Sequence, residues 1–110
     1  MKNDAFSMAL LFDYYGELLT QKQKTYFDLY YNQDFSLAEI AEEEGISRQG
    51  VHDTLTRTEA ALRNFEEKTG IVARAMQRRQ ALETIGQAAR QIRDENLAKT
   101  ILDAVDTIKE

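Results

Sequence analysis

The sequence predicts an all-helical helix-turn-helix domain followed by amphipathic C-terminal helices, and three observations predict it. There is no proline among the 110 residues, so nothing interrupts long helices. Two N-cap signatures, Ser36-Leu37-Ala38-Glu39 and Ser47, flank a short segment that stops at Gly45. Apolar residues recur at three- and four-residue spacing almost from end to end, with no alternating stretch that would mark a strand or a wing.

The first helix is expected over Ala5–Leu19, where Met8, Leu11, Phe12, Tyr15, Leu18 and Leu19 form one wide apolar face. Thr20-Gln21-Lys22-Gln23 is a capping box, because the threonine oxygen accepts from an early amide while the glutamine reaches back. It opens a second helix to about Asn32, carrying Tyr26, Phe27, Leu29, Tyr30 and Tyr31 and ending in Asn32-Gln33-Asp34. The five tyrosines read as core and core-edge residues.

Ser36 then opens a short helix to Glu44, and Gly45 supplies the left-handed stop. Ser47 caps a long helix whose Val51, Leu55, Thr58, Leu62 and Phe65 follow at 4-3-4-3 spacing until Gly70. A fifth helix carries Ile71, Ala75, Met76, Leu82, Ile85, Ala89 and Ile92. Asp94-Glu95-Asn96 is the candidate break before a sixth with Leu97, Ile101, Leu102, Val105 and Ile108. The expected organisation is a helix-turn-helix domain over 1–70 and a helical extension over 71–110. Amphipathic helices at the C-terminus cannot hide two apolar faces alone, so a homodimer joined there is expected.

The informative stretch is Leu37 to Leu55. Helices crossing steeply need a small residue at the crossing, here Ala41, and a turn residue tolerant of positive φ, here Gly45. Leu37, Ile40, Ile46, Val51 and Leu55 make the miniature core. The start of the second helix in such a unit enters the major groove. Opposite the Val51/Leu55 face, that surface comprises Arg48, Gln49, His52, Asp53, Thr56 and Arg57. Arg48 suits guanine or phosphate, Gln49 suits adenine and Arg57 suits phosphate, while Gly50 would allow close backbone approach. The plain alternative is a solvated helix face on a protein-binding scaffold.

Charge complicates the DNA reading. The chain is net −5 overall. Residues 36–70 carry four Lys/Arg against eight Asp/Glu, a net of −4, whereas residues 71–110 are net +1. Glu42, Glu43 and Glu44 read as a solvated cluster or as a docking surface for a basic partner. Arg74, Arg78, Arg79, Arg90 and Arg93 read as a solvated face of the fifth helix or as a basic strip for nucleic-acid phosphates.

The stretch EIAEEEGISRQGVHDTLTRTEAALR, Glu39 to Arg63, resembles region 4 of sigma-70-type factors, the promoter-reading domain. More widely, from Leu10 to Gly70, the segments LLTQKQ, LYY, SLAEIAEEEGISRQGVHD and NFEEKTG resemble the YlxM family of small bacterial proteins. The resemblance implies a DNA-binding or regulatory role. It also implies an association with the signal recognition particle pathway, beside whose genes the family is encoded. A protein- or RNA-binding adaptor of the particle on the same fold is the alternative.

Other classes find no foothold. Cysteine is absent and His52 is the sole histidine, so neither disulfides nor a zinc site is expected. No glycine-rich phosphate loop or nucleophile elbow appears, and no cofactor is expected. The adjacent Glu66 and Glu67 diverge on a helix, so no carboxylate pair suggests catalysis and no enzyme is expected. The N-terminal stretch lacks the basic start and cleavage site of a signal peptide. With no apolar run near the ~20 residues of a membrane span, the cytoplasm is the expected location.

Overall fold

The computed structural model describes residues 4–109, all helix and connecting turns. Six helices run in order: α1 Ala5–Tyr15, α2 Gln21–Phe27, α3 Leu37–Glu44, α4 Arg48–Thr69, α5 Ile71–Ala89 and α6 Glu95–Lys109. The all-helical reading holds. The chain divides into two compact units between Val72 and Ala73.

In the first unit, α1 is shorter than its apolar pattern suggests. It ends at Tyr15, and Gly16–Leu18 tighten into a 3-10 turn before Leu19 leaves the helical region at ψ 157°. The tightening turns Leu19 inward and leaves Leu18 exposed. The capping box at Thr20 forms as read, with Gln23 N–H donating to Thr20 Oγ1 at 3.2 Å and Thr20 N–H to Gln23 Oε1 at 3.0 Å.

α2 continues through a wider π turn, Asp28–Asn32, in place of α-helix to its end. The Gln33 amide reaches the Asp28 carbonyl at 3.0 Å, while Asn32 Nδ2 and Gln33 Nε2 donate to the Asp28 carboxylate at 2.8 and 2.6 Å. One side chain thus gathers the end of the helix. The turn delivers Tyr31 onto Phe27, ring centroids 4.4 Å apart.

Two apolar clusters share α4 as their spine. Met8, Tyr15, Leu19, Phe27, Leu62 and Val72 form one, bordered by Phe12 and Phe65. Tyr26, Ile40, Ala41, Val51 and Leu55 form the other, beneath α3. Thr58, buried between them on the same face of α4, satisfies its hydroxyl by donating to the Thr54 carbonyl at 2.7 Å.

The second unit comprises the rest of α5 together with α6. Leu82, Gly86, Ala89 and Val105 are buried. A Cβ on Gly86 would stand 3.9 Å from Leu102 Cδ2, so the two helices meet there. The break between them starts at Arg90, and Asp94 caps α6, its Oδ1 accepting from the amides of Asn96 and Leu97 at 3.0 and 3.1 Å. The fifth helix ends at Ala89, short of the Ile92 that its sequence reading included. Along it Ile71, Met76 and Ile85 are exposed. Alanine, arginine and glutamine around them leave α5 with little amphipathic contrast, so its pattern fixes the rotation poorly. Nor do the five arginines make one strip on the helix, because Arg90 and Arg93 lie beyond its end at Ala89. Among the described residues no helix is long and apolar enough to cross a membrane.

Candidate nucleic-acid interface

The turn between α3 and α4 is built from local chemistry. Ser36 Oγ accepts from Glu39 N–H at 3.0 Å and the Glu39 carboxylate accepts from Ser36 N–H at 2.9 Å, completing the box. Gly45 adopts φ 69°, ψ 34°, and the following Ile46 amide closes onto the Ala41 carbonyl at 3.1 Å. That left-handed geometry is nearly free for glycine and strained for other residues. Ser47 Oγ then accepts from Gly50 N–H at 3.0 Å and starts α4 three residues after α3 ends.

Val51 and Leu55 point into the cluster with Ile40 and Ala41, which turns the opposite side of α4 to solvent. Arg48, Gln49, His52, Thr56 and Arg57 are exposed and Asp53 is half-buried. Among the described residues neither arginine makes an ion pair. Gln49 Nε2 donates to Asp53 Oδ1 at 2.9 Å, one turn on, and His52 Nδ1 stands 3.7 Å from the same oxygen. Asp53 therefore orients Gln49. Gly50 has a role other than the one its sequence suggests. A Cβ there would lie 3.2 Å from Ser47 Oγ and 3.5 Å from Ile46 Cδ1, so the glycine makes room for the cap on the protein side.

The acids of α3 are exposed. Glu39, Glu42 and Glu43 border a shallow depression with Phe35, and no residue of α4 lines it. Burial first, and the charge of Glu44 second, push the Tyr26 hydroxyl above its ordinary pKa.

Two carboxylates have structural roles that the sequence reading did not assign. Glu59 is buried on the core side of α4 and accepts from the Tyr31 hydroxyl. Glu66 Oε1 accepts from the Tyr15 hydroxyl at 2.5 Å and from the Val72 amide at 3.0 Å, and the same tyrosine oxygen meets Thr69 Oγ1 at 2.6 Å. These bonds tie α1 and the π turn to the helix that carries the candidate residues. The available signal was phase, since Glu59 sits between Leu55 and Leu62 on the apolar stripe.

Burial, the bond to Glu59 and its charge, in that order, raise the Tyr31 pKa well above the usual ~10. The hydroxyl is thus held neutral in the folded state. The unfolded chain releases this proton first, so the contribution is intact below pH ~10 and drains away as pH rises through the alkaline range. Because Tyr31 is only partly buried, solvent screening reduces its size. Chemical denaturation from pH 8 to 11 is expected to show a shallower alkaline loss in Tyr31→Phe than in the native chain; equal slopes would refute this.

Comparison with known proteins agrees with the geometry. A family profile described as "Putative helix-turn-helix protein, YlxM / p13 like" matches residues 2–103. A family relative from Halalkalibacterium halodurans is 43% identical over 110 residues, covering 99% of this chain and 100% of its own. One from Thermoanaerobacter sp. (strain X514) is 44% identical over 108 residues, covering 98% and 92%. YlxM of Bacillus subtilis is 41% identical over 101 residues, 92% of each chain. With the helix-turn-helix formed and the match spanning nearly the whole sequence, the chain belongs to the YlxM / p13-like helix-turn-helix family.

Proposed function

We propose that this protein is a DNA-binding regulator that reads duplex DNA with the first turns of α4. The observation that carries the reading is the exposed, polar start of α4, with Arg48 and Arg57 unpaired among the described residues and with Glu39, Glu42 and Glu43 of α3 bordering a depression that no α4 residue lines. Arg48 and Arg57 are nine residues apart, about two and a half turns, so they leave α4 from opposite sides. In this reading they hold phosphates at either end while Gln49, released from Asp53, meets a base edge between them. Forking onto guanine is the alternative role for Arg48 in this reading. His52, Asp53 and Thr56 complete the surface. The similarity to sigma-70 region 4 supports the same docking. The reading extends to a role in or near the signal recognition particle pathway, on the strength of the family resemblance, and to a homodimer. The role is binding, not catalysis.

Selection from random duplex DNA at low and moderate salt tests it. Loss of a phosphate contact in Arg48→Ala or Arg57→Ala should weaken binding to every sequence and reduce the salt slope by about one. Gln49→Ala should alter preference among sequences and leave the slope unchanged. The negative total charge implies weak binding that fades above physiological salt. Without enrichment at either salt, and with arginine variants behaving as the native chain, DNA reading is lost.

One observation favours a second reading. Glu39, Glu42 and Glu43 around Phe35 suit a basic protein partner, as an adaptor of the particle would require. Pull-downs from lysate with and without nuclease separate the two. Capture of particle components that survives nuclease supports the adaptor.

A further inference from the structure

Between Val72, in the core of the first unit, and Leu82, buried in the second, α5 is almost bare. Residues 73–81 are exposed save the half-buried Ala75. Polar helices of this kind are ordinarily held by opposite charges three or four residues apart. Here the charges are of one sign. Arg74, Arg78 and Arg79 fall in the stretch, and no acid lies between Glu67 and Glu83. Arg74 and Arg78 are four residues apart, about 6 Å along one side of the helix, where like charges repel. Arg74 is also the fourth residue of α5, close to the positive end of its dipole. Arg79 borders a shallow depression with Met76, Gln77, Gln80 and Glu83. Among the described residues none of the three arginines makes an ion pair, Arg79 with Glu83 included.

A merely solvated helix face gains nothing from this arrangement. It forgoes pairing with acids and sets cations where both the neighbouring charge and the dipole oppose them. Local rules broken in this way are characteristic of functional positions, and an anionic partner removes both penalties. The backbone at the start of α5 is not the receptor. Ile71 N–H already donates to Thr69 Oγ1 at 3.3 Å and Val72 N–H to Glu66 Oε1 at 3.0 Å, so the arginine side chains are what the surface offers. Three guanidiniums with no intervening acid suit a chain of phosphates better than a single anion. The first unit supplies the reason for such a surface. Residues 1–72 carry seven Lys/Arg against thirteen Asp/Glu, a net of −6. Phosphate contacts provide a large share of a protein's affinity for DNA, and a reading unit with that charge holds a duplex poorly by itself. The cations it lacks are on α5.

We infer that Arg74 and Arg78, with Arg79 beside them, make a second contact with duplex DNA, binding backbone phosphates without regard to sequence. The inference rests on the DNA reading above for its polyanion and adds a surface to it. Salt titrations of the full chain on random-sequence duplex, and on any sequence enriched from it, are the test. Arg74→Gln/Arg78→Gln, which installs two good helix formers, is expected to weaken binding to every duplex at least about tenfold near 50 mM salt and to lower the salt slope by about two. Preference among sequences and the melting midpoint should stay as in the native chain. Arg93→Gln/Lys109→Gln removes the same charge from elsewhere in the second unit and should change the slope by less than about one. An unchanged slope, an equal loss in this control or a lowered midpoint in Arg74→Gln/Arg78→Gln would overturn the α5 contact. The α4 reading would still stand if the Arg48 and Arg57 variants bind weakly. The reverse pattern, loss through Arg74 and Arg78 with no sequence enriched and native behaviour of the Arg48 and Arg57 variants, keeps the α5 contact and removes the α4 reading. A native chain that binds no duplex at any salt would overturn both. Displacement of the DNA by an equal length of duplex RNA at a tenth of the concentration or less would assign the surface to RNA and overturn the inference.

Discussion

Replacing Phe27 with alanine is expected to destabilise the first unit by about 3–5 kcal/mol, the range for deleting a fully buried phenylalanine. Phe27 has 0% of its surface exposed. Its ring is stacked between Phe12, 4.4 Å away and tilted by 8°, and Tyr31, also at 4.4 Å. Removing it therefore empties the middle of a three-ring stack joining α1, α2 and the π turn. Collapse to fill the space is hindered, because Tyr31 is anchored to Glu59 and the neighbouring Leu62 belongs to a second rigid helix. For a domain of this size each kcal/mol moves the midpoint by about 4–8 °C. Thermal denaturation followed by circular dichroism should thus show a fall of more than about 12 °C. A shift of under about 3 °C would mean that the stack is not the keystone of this cluster.

The parts of this fold legible in the sequence are those written in local chemistry. Ser36, Gly45 and Ser47 act within three or four residues of themselves, so their caps and the left-handed turn can be read without any partner. The exposure of Gln49, His52, Thr56 and Arg57 followed from their phase against Val51 and Leu55, which is again local. What escaped depended on distant partners. Tyr31 and Glu59 are 28 residues apart and Tyr15 and Glu66 are 51 apart, and periodicity can place a glutamate on the apolar stripe without naming its partner. The π turn is set by one carboxylate, Asp28, gathering Asn32 and Gln33, a choice that helix propensity does not encode. Gly50 was misread for a related reason. A glycine on a reading helix suggests approach to a ligand, whereas its missing Cβ serves Ser47 and Ile46.

The same phase argument gives the sharpest contrast available in this protein, between two adjacent positions given the same new side chain. Val51 has 0% exposure and lies among Tyr26, Ile40, Ala41 and Leu55. In Val51→Asp a carboxylate enters that cluster without a counter-charge, and such burial costs more than about 4 kcal/mol. Total stability is about 0.05–0.15 kcal/mol per residue, so most of it is consumed and α3 loses its seat. The expected result is a largely unfolded first unit at 25 °C. The His52 side chain, one residue on, is 57% exposed. There the new carboxylate stays in water near the positive end of α4, where the helix dipole offsets its repulsion from Asp53. His52→Asp is therefore expected to change stability by no more than about 0.5 kcal/mol, as exposed substitutions do. If α4 reads DNA, His52→Asp nonetheless adds negative charge to the groove face and weakens binding to all sequences, most at low salt. Denaturant melts and DNA titrations of both variants separate the two outcomes. Equal destabilisation by the two substitutions would show that α4 is rotated from the orientation described. A stable His52→Asp variant with undiminished DNA binding would place the reading surface elsewhere on the molecule.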